Sequence, residues 1–413
     1  MPNDALVIGG GIVGLSCALN LQQHGMRTTL VDLATTPRPA SWGNAGHLAT
    51  EQVEPLASQK TLRSFPQRLF WRGGALSLPA SALPVWLPFA LRLIRSSTPA
   101  RFETGASALR FLLREALPAW HRLAKSARVE HLIAEDGHFV VWETPAGAAA
   151  GRAAWTRTDT GTATFRDATQ EEIATLSTQM SAPIAGAIRF QGTGQVLDPG
   201  ELAEGLGEAL GLCGGTRRSA HVRKLAIKGS TASAMLDDGQ LLHADVLVIA
   251  GGVASAALLQ PLGYRVPIIA ERGYHIQSAN TDWPVGLPPV VFEERSMIVS
   301  RFRSGLRAAS FVEFNRAHAP ADARKWARLR SHVAALGLHF HEPSSEWLGA
   351  RPTLPDYLPA LGRSRRVNNL LYAFGHQHLG LTLAAVTGEL IGALARDAPT
   401  DLDVTPFDLE RFL

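Results

Sequence analysis

Ala5-Leu6-Val7-Ile8-Gly9-Gly10-Gly11-Ile12-Val13-Gly14-Leu15 decides the fold of this chain. An apolar run stopped by glycine predicts a short buried strand. Ile12, Leu15, Ala18 and Leu19 then repeat at helical spacing until Gly25, which predicts a helix and its stop. Gly9, Gly11 and Gly14 stand between them as G-x-G-x-x-G. The first glycine permits the tight turn, the second lets a pyrophosphate approach the backbone, and the third lets helix and strand pack closely. The amides at the helix start, at Ile12 and Val13, face that anion. Residues 28–31 predict the next strand, and Asp32 ends it 21 residues past Gly11, where a carboxylate can accept ribose hydroxyl hydrogen bonds. The set predicts a bound dinucleotide.

The composition sets limits around that motif. With 413 residues, 46% hydrophobic and 18% charged, the chain is long enough for two or three domains with their own cores. A net charge of +4 made of scattered arginines lacks the basic footprint of a nucleic-acid binder. Cys17 and Cys213 exclude a disulfide framework, match no metal-ligand spacing and fit a reducing, cytoplasmic setting. The apolar start has no basic n-region, so no cleaved leader is expected. The longest uncharged stretch, 73–91, carries Pro79, Pro84 and Pro88, which would break a spanning helix. It reads as a surface segment able to touch the inner face of the cytoplasmic membrane without crossing it.

Residues 33–60 read as a long loop region, 109–123 as helical, 139–142 as a strand, and 146–164 as loop or exposed helix. A helix carrying Leu202, Leu206 and Leu210 follows residues 195–199, then two strands at 222–227 and 232–236. The run 244–250 is a buried strand stopped by Gly251-Gly252. Segments from 266 to 315 lack a βαβ rhythm and predict an antiparallel sheet, and the tail from 370 reads as strand, Gly/His turn and apolar helix. No second glycine fingerprint marks a nicotinamide domain, and the late strand can return beside the cofactor, so the dinucleotide is expected to be FAD.

Four stretches, in order, resemble FAD-dependent D-amino-acid dehydrogenases of the D-amino-acid oxidase and glycine oxidase group. They are Ser41-Trp42-Gly43-Asn44-Ala45-Gly46; Arg272-Gly273-Tyr274; Trp347-Leu348-Gly349-Ala350-Arg351-Pro352 with Pro355-Asp356; and Gly375-His376 with Leu379-Gly380-Leu381-Thr382. The resemblance implies an α/β fold, with a Rossmann-like FAD domain in discontinuous segments (1–78, 188–265, 346–413). An inserted α+β substrate domain with an antiparallel sheet would take 79–187 and 266–345. It places Asn44, Ala45 and Gly46 along the isoalloxazine, Gly375, Gly380, Leu381 and Thr382 at its pyrimidine end, and Val222 and Gly251 among the cofactor contacts. FAD is expected to be non-covalent, since neither cysteine lies in an attachment context.

The resemblance also gives Arg351 the substrate carboxylate, which a guanidinium fork can grip at two points, and sets Tyr274 across the pocket as a second donor. His47, His275 and His378 depart from the family pattern and suggest a pocket with donors for a cyclic or hydroxylated side chain. D-proline and cis-4-hydroxy-D-proline are candidates. His47 and His376 would tune the site. The implied reaction is hydride removal from the α-carbon of a D-amino acid, with a quinone or the respiratory chain as acceptor. The rivals are an oxidase of the same fold acting on glycine, sarcosine or another N-methyl amino acid, and a flavin-binding subunit without its own substrate.

Overall fold

The computed structural model describes residues 3–33 and 40–412; residues 34–39 of the expected long loop lie outside them. Strand Asp4–Ile8 is buried as its apolar run requires, and it turns through Gly9–Gly11 into helix Ile12–Gln23. It lies inside a six-stranded sheet ordered Thr216–Ser219, Arg27–Asp32, Asp4–Ile8, Val246–Ile249, Leu370–Phe374, Ala360–Arg363. All pairs are parallel except the last. The second strand in the chain pairs on one side of Asp4–Ile8 and a strand more than 200 residues later on the other, with Ile8 opposite Ile249. The carboxyl end of the first strand is therefore a switch point, where open α/β sheets leave a ligand crevice.

A second, mostly antiparallel sheet is ordered Ser344–Thr353, Ile269–Ser278, Gly305–Asn315, Met297–Phe302, Val290–Phe292, His138–Trp142, Gly186–Gln191, Thr164–Asp167. Its register sets Glu271 opposite Arg351 and Gly273 opposite Gly349.

The expected segment limits need three corrections. Helices Pro99–Arg114 and Ala116–Ala127 bury Leu109, Leu112 and Trp120 in the same core as the first helix, so the stretch 79–187 is not one block. Their apolar stripes match a partner helix, Gly380–Ala395, that only the fold brings near. Strand Ser344–Thr353, which carries Arg351, belongs to the second sheet rather than to the last FAD segment, and Leu76–Ser77 pairs with that sheet too. The prolines of 73–91 also break less than expected. Helix Leu83–Ser96 runs straight through Pro88, with Pro84 in its first turn where no N–H partner is needed. Gln377–Ala395 is apolar enough to cross a membrane but is mostly buried, packing as the core helix between Ile12–Gln23 and Ala116–Ala127.

Candidate active site

A cavity of about 1830 Å³ runs from the switch point to the second sheet. At one end its wall is Gly9, Gly11, Ile12, Val13 and Asp32, with Gly251 across the crevice. Side chains are excluded there by backbone. A Cβ on Gly9, at φ 114°, would overlap the Ala250 carbonyl, and one on Gly14 would overlap the Gly9 carbonyl. Gly14 itself lies behind the wall, as a packing glycine should. Gly10 has its own constraint, because a Cβ would stand 2.6 Å from Asp32 Oδ2. Burial raises the Asp32 pKa, and the Gly10 and Leu33 amides pull it back. Ser41 Oγ accepts from the Ile12 amide at 3.1 Å and ties the later loop to the helix start. A cradle of backbone amides with one carboxylate beyond it fits a dinucleotide pyrophosphate and ribose.

Midway, Asn44, Ala45, His47, Gly380 and Leu381 line the cavity. Asn44 Oδ1 accepts from the Gly46 amide at 2.8 Å, closing the turn, and Arg307 reaches over to donate to the Asn44 carbonyl. Thr382 Oγ1 accepts from the Ala49 amide at 2.9 Å, so it joins the loop to the last helix from behind the wall. Gly46 and Gly375 also stand outside the wall; both have positive φ, 75° and 82°, and shape its turns.

At the far end stands Arg351. Its Nη1 donates to Glu271 Oε1 at 3.0 Å and to the Phe311 carbonyl at 3.2 Å. Glu271, 1% exposed, accepts at its other oxygen from Thr353 Oγ1 (3.1 Å) and Tyr357 Oη (3.2 Å). Nε and Nη2 of Arg351 have no partner among the described residues, and the guanidinium lies over Gly273, where a Cβ would overlap Nη2. A carboxylate saturated by three donors thus holds one edge of a fork whose other edge can take a second carboxylate. Phe311, Tyr357 and Gln377 line this end with φ of 71°, 58° and 44°. Left-handed backbone at residues with side chains is costly and gathers at functional sites. Burial holds the Tyr357 hydroxyl protonated, its pKa well above 10.

Several expected residues are placed elsewhere. Tyr274 is 1% exposed and points to the opposite face of its strand from Glu271 and Gly273, where its hydroxyl donates to Glu313 at 2.7 Å. Tyr274 still reaches the cavity wall, but its hydroxyl is committed to Glu313, and Tyr357 is the tyrosine bonded into the Arg351–Glu271 network. His275 is on the Arg351 face but stacks on Trp347 at 4.9 Å, and its Nδ1 pairs with the Gly43 carbonyl at 3.0 Å. Burial lowers its pKa to about 3. Val222 is buried in an apolar cluster against Leu236, away from the cavity wall. His376 does line the cavity, but its Nε2 pairs with Thr387 Oγ1 at 3.0 Å, and burial lowers its pKa to about 3.

His47 and His378 remain at the cavity. His378 Nε2 bonds Gln52 Oε1, and burial lowers its pKa to about 4, keeping the ring neutral. His47 Nε2 pairs with buried Glu51 at 3.2 Å. His138 stands edge-on to His47, and ligand atoms of the three lie within 4.8 Å of one another. The histidines and glutamate could hold a metal ion, an arrangement absent from any sequence spacing. Glu51 is pulled down to about 2, burial opposing and the two histidines favouring its charge. Glu271, Tyr357, Gln52 and Glu51 belong to no motif in the sequence. Only Glu271, an acid inside an apolar strand, leaves a local signal.

The family model of FAD dependent oxidoreductases described as DAO matches residues 4–394. A D-amino-acid oxidase of Bradyrhizobium diazoefficiens is 31% identical, covering 98% of each chain. A D-amino acid dehydrogenase 2 of Ralstonia nicotianae is 30% identical, covering 98% of this chain and 99% of the relative. Among solved structures, glycine oxidase from Geobacillus kaustophilus superposes with a TM-score of 0.72 at 21% identity over 99% of both chains, which establishes a common fold. Glycine cradle, Asp32, fold and whole-length kinship agree: this chain belongs to the DAO family of FAD-dependent oxidoreductases and is an FAD enzyme.

Proposed function

We propose that the protein dehydrogenates a D-amino acid, with cyclic D-amino acids such as D-proline and cis-4-hydroxy-D-proline as the favoured class. The observation that carries this reading is the half-occupied fork of Arg351, held on Glu271 in the wall of the FAD cavity. Its free edge suits the substrate carboxylate, and a two-point grip aligns the α-hydrogen with the cofactor. The whole-length relatives named for D-amino acids support the stereochemistry.

FAD would be held by the Gly9–Gly11 turn, the Ile12 and Val13 amides and Asp32, without a covalent link, and would supply a two-electron acceptor for the substrate's hydride. As the α-carbon gives up hydride, the substrate nitrogen lone pair closes a C=N bond. A cyclic iminium results, which gives up its N–H proton to water to leave the imine, or an open one that water hydrolyses to an oxo acid and ammonium. A substrate that binds with a neutral amine needs no general base. Neutral His378 and protonated Tyr357 fit such a site because neither carries charge near the forming imine. His47 and the His378–Gln52 pair offer the polar contacts for a ring hydroxyl; His275, committed to Gly43 and Trp347, does not. Electrons would pass to a quinone of the respiratory chain, with the enzyme on the cytoplasmic side.

Anaerobic titration of the purified flavoprotein with D- and L-amino acids, glycine and sarcosine tests the proposal. Bleaching of the flavin by D-proline or its hydroxylated form, and not by L-forms, is expected. Bleaching by glycine or sarcosine alone, with peroxide release in air, would assign the site to an oxidase instead.

A further inference from the structure

Between residues 55 and 102 the sequence carries seven cations, Lys60 to Arg101, and no aspartate or glutamate. The whole chain is only +4, so this segment holds more positive charge than the molecule. Some surface arginines elsewhere are paired, as in Arg122–Glu389 and Arg166–Glu172. Among the described residues, none of the seven has an ion-pair partner.

The same segment exposes apolar surface. Helix Leu83–Ser96 buries Phe89 and Leu93 against Ala57, Phe314 and Tyr357. Its other face exposes Leu83, Leu87, Leu91 and Ile94 at 44%, 42%, 57% and 52%, spaced four, four and three residues apart as one stripe, with Arg92 and Arg95 beside it. Trp71, 71% exposed, lies beneath the Arg72 guanidinium at 4.6 Å and shares a groove with Trp86. Phe65 and Ile94 are both exposed and part of the main cavity wall, so the cavity reaches the surface here.

We propose that this face docks the enzyme onto an anionic lipid bilayer. Leucines, isoleucine and tryptophan on one side of a helix, rimmed by unpaired arginines, are the chemistry that enters the headgroup region. A second copy of the chain fits poorly, since a symmetric contact across the leucine stripe would bring Arg92 and Arg95, which have no ion-pair partner among the described residues, against their own copies. The cavity mouth then opens toward lipid. On the dehydrogenase reading above, on which this last step alone rests, an apolar acceptor dissolved in the bilayer enters there.

The test is co-sedimentation of the holoenzyme with vesicles of phosphatidylcholine alone, or of equal parts phosphatidylcholine and phosphatidylglycerol. Binding to the anionic vesicles, weakened by salt, is expected. Leu87→Glu with Leu91→Glu, and separately Arg92→Glu with Arg95→Glu, should each lower that binding at least tenfold. Flavin content, melting temperature and flavin reduction by substrate should stay unchanged. The measurement needs no turnover, so a wrong substrate assignment leaves it intact. Failure of the parent enzyme to bind anionic vesicles would overturn the proposal. So would variants that bind like the parent, or a lipid-free dimer that the leucine variants dissociate.

Discussion

The two ends of the cavity are built on opposite plans. At the pyrophosphate end the protein offers backbone, and side chains are excluded because carbonyls stand where a Cβ would go, at Gly9 and Gly14. At the far end a cation and two hydroxyl donors converge on one buried carboxylate, Glu271. The first end tolerates no added Cβ at Gly9 or Gly14 and contains one charge, Asp32. At the second, the space above Gly273 is already filled by the Arg351 guanidinium. One end should therefore fail by steric overlap and the other by loss of alignment.

Gly14→Ala breaks the first plan outright. Its methyl would overlap backbone that cannot yield, so folded protein should carry no flavin, read as the flavin-to-protein absorbance ratio. A normal ratio would remove Gly14 from the cradle. Asp32→Ala should be milder, retaining fold and substrate choice while weakening FAD. Hydrogen bonds to a charged group contribute about 1.5–3 kcal/mol, which equilibrium dialysis would resolve. Gly273→Ala sharpens the contrast at the other end. It should push Arg351 off its floor, lower kcat/KM by about tenfold, roughly 1.4 kcal/mol, and leave flavin occupancy intact. If flavin is lost while turnover per flavin is normal, the two ends are not separate.

The smallest expected effect is on pH. Burial depresses His376 to about 3 in the folded protein, from an ordinary value of 6.5. Below pH 6.5 the unfolded chain takes up a proton that the folded chain refuses, so stability is full above that pH and declines toward pH 3. The slope is about 1.4 kcal/mol per pH unit for one such group. His138, His275 and His378, lowered to about 3, 3 and 4, act in the same direction. Urea midpoints of His376→Asn, measured between pH 7 and 5, should fall less steeply than those of the parent.

The same contrast explains what was legible beforehand. The cradle is local: one strand, one turn and one helix within about twenty residues, each glycine required by its neighbours in sequence. Arg351 was legible through a resemblance, and its strand neighbours were not. Strand alternation alone separates Glu271, Gly273 and His275 from Arg272 and Tyr274, but which face meets the cavity depends on sheet order. Tyr274 reaches the cavity wall with its hydroxyl committed to Glu313, while Tyr357, which lines the same cavity at a positive φ, carries no motif. Glu51 meets His138 only across the fold. The helices at 99–127 joined the first core because their apolar stripes match a helix nearly 300 residues away.

The claim that joins sequence, geometry and chemistry is the fork of Arg351, and Arg351→Lys tests it most directly. Lysine keeps a positive charge for Glu271, so the buried carboxylate is not left unpaired, but a single ammonium cannot bridge two carboxylates in a plane. The account predicts parent-like melting temperature and flavin occupancy, with kcat/KM for the D-amino acid reduced at least tenfold in anaerobic flavin reduction. A lysine variant with lowered melting temperature and unchanged reduction kinetics would make Arg351 a structural partner of Glu271 and contradict the account.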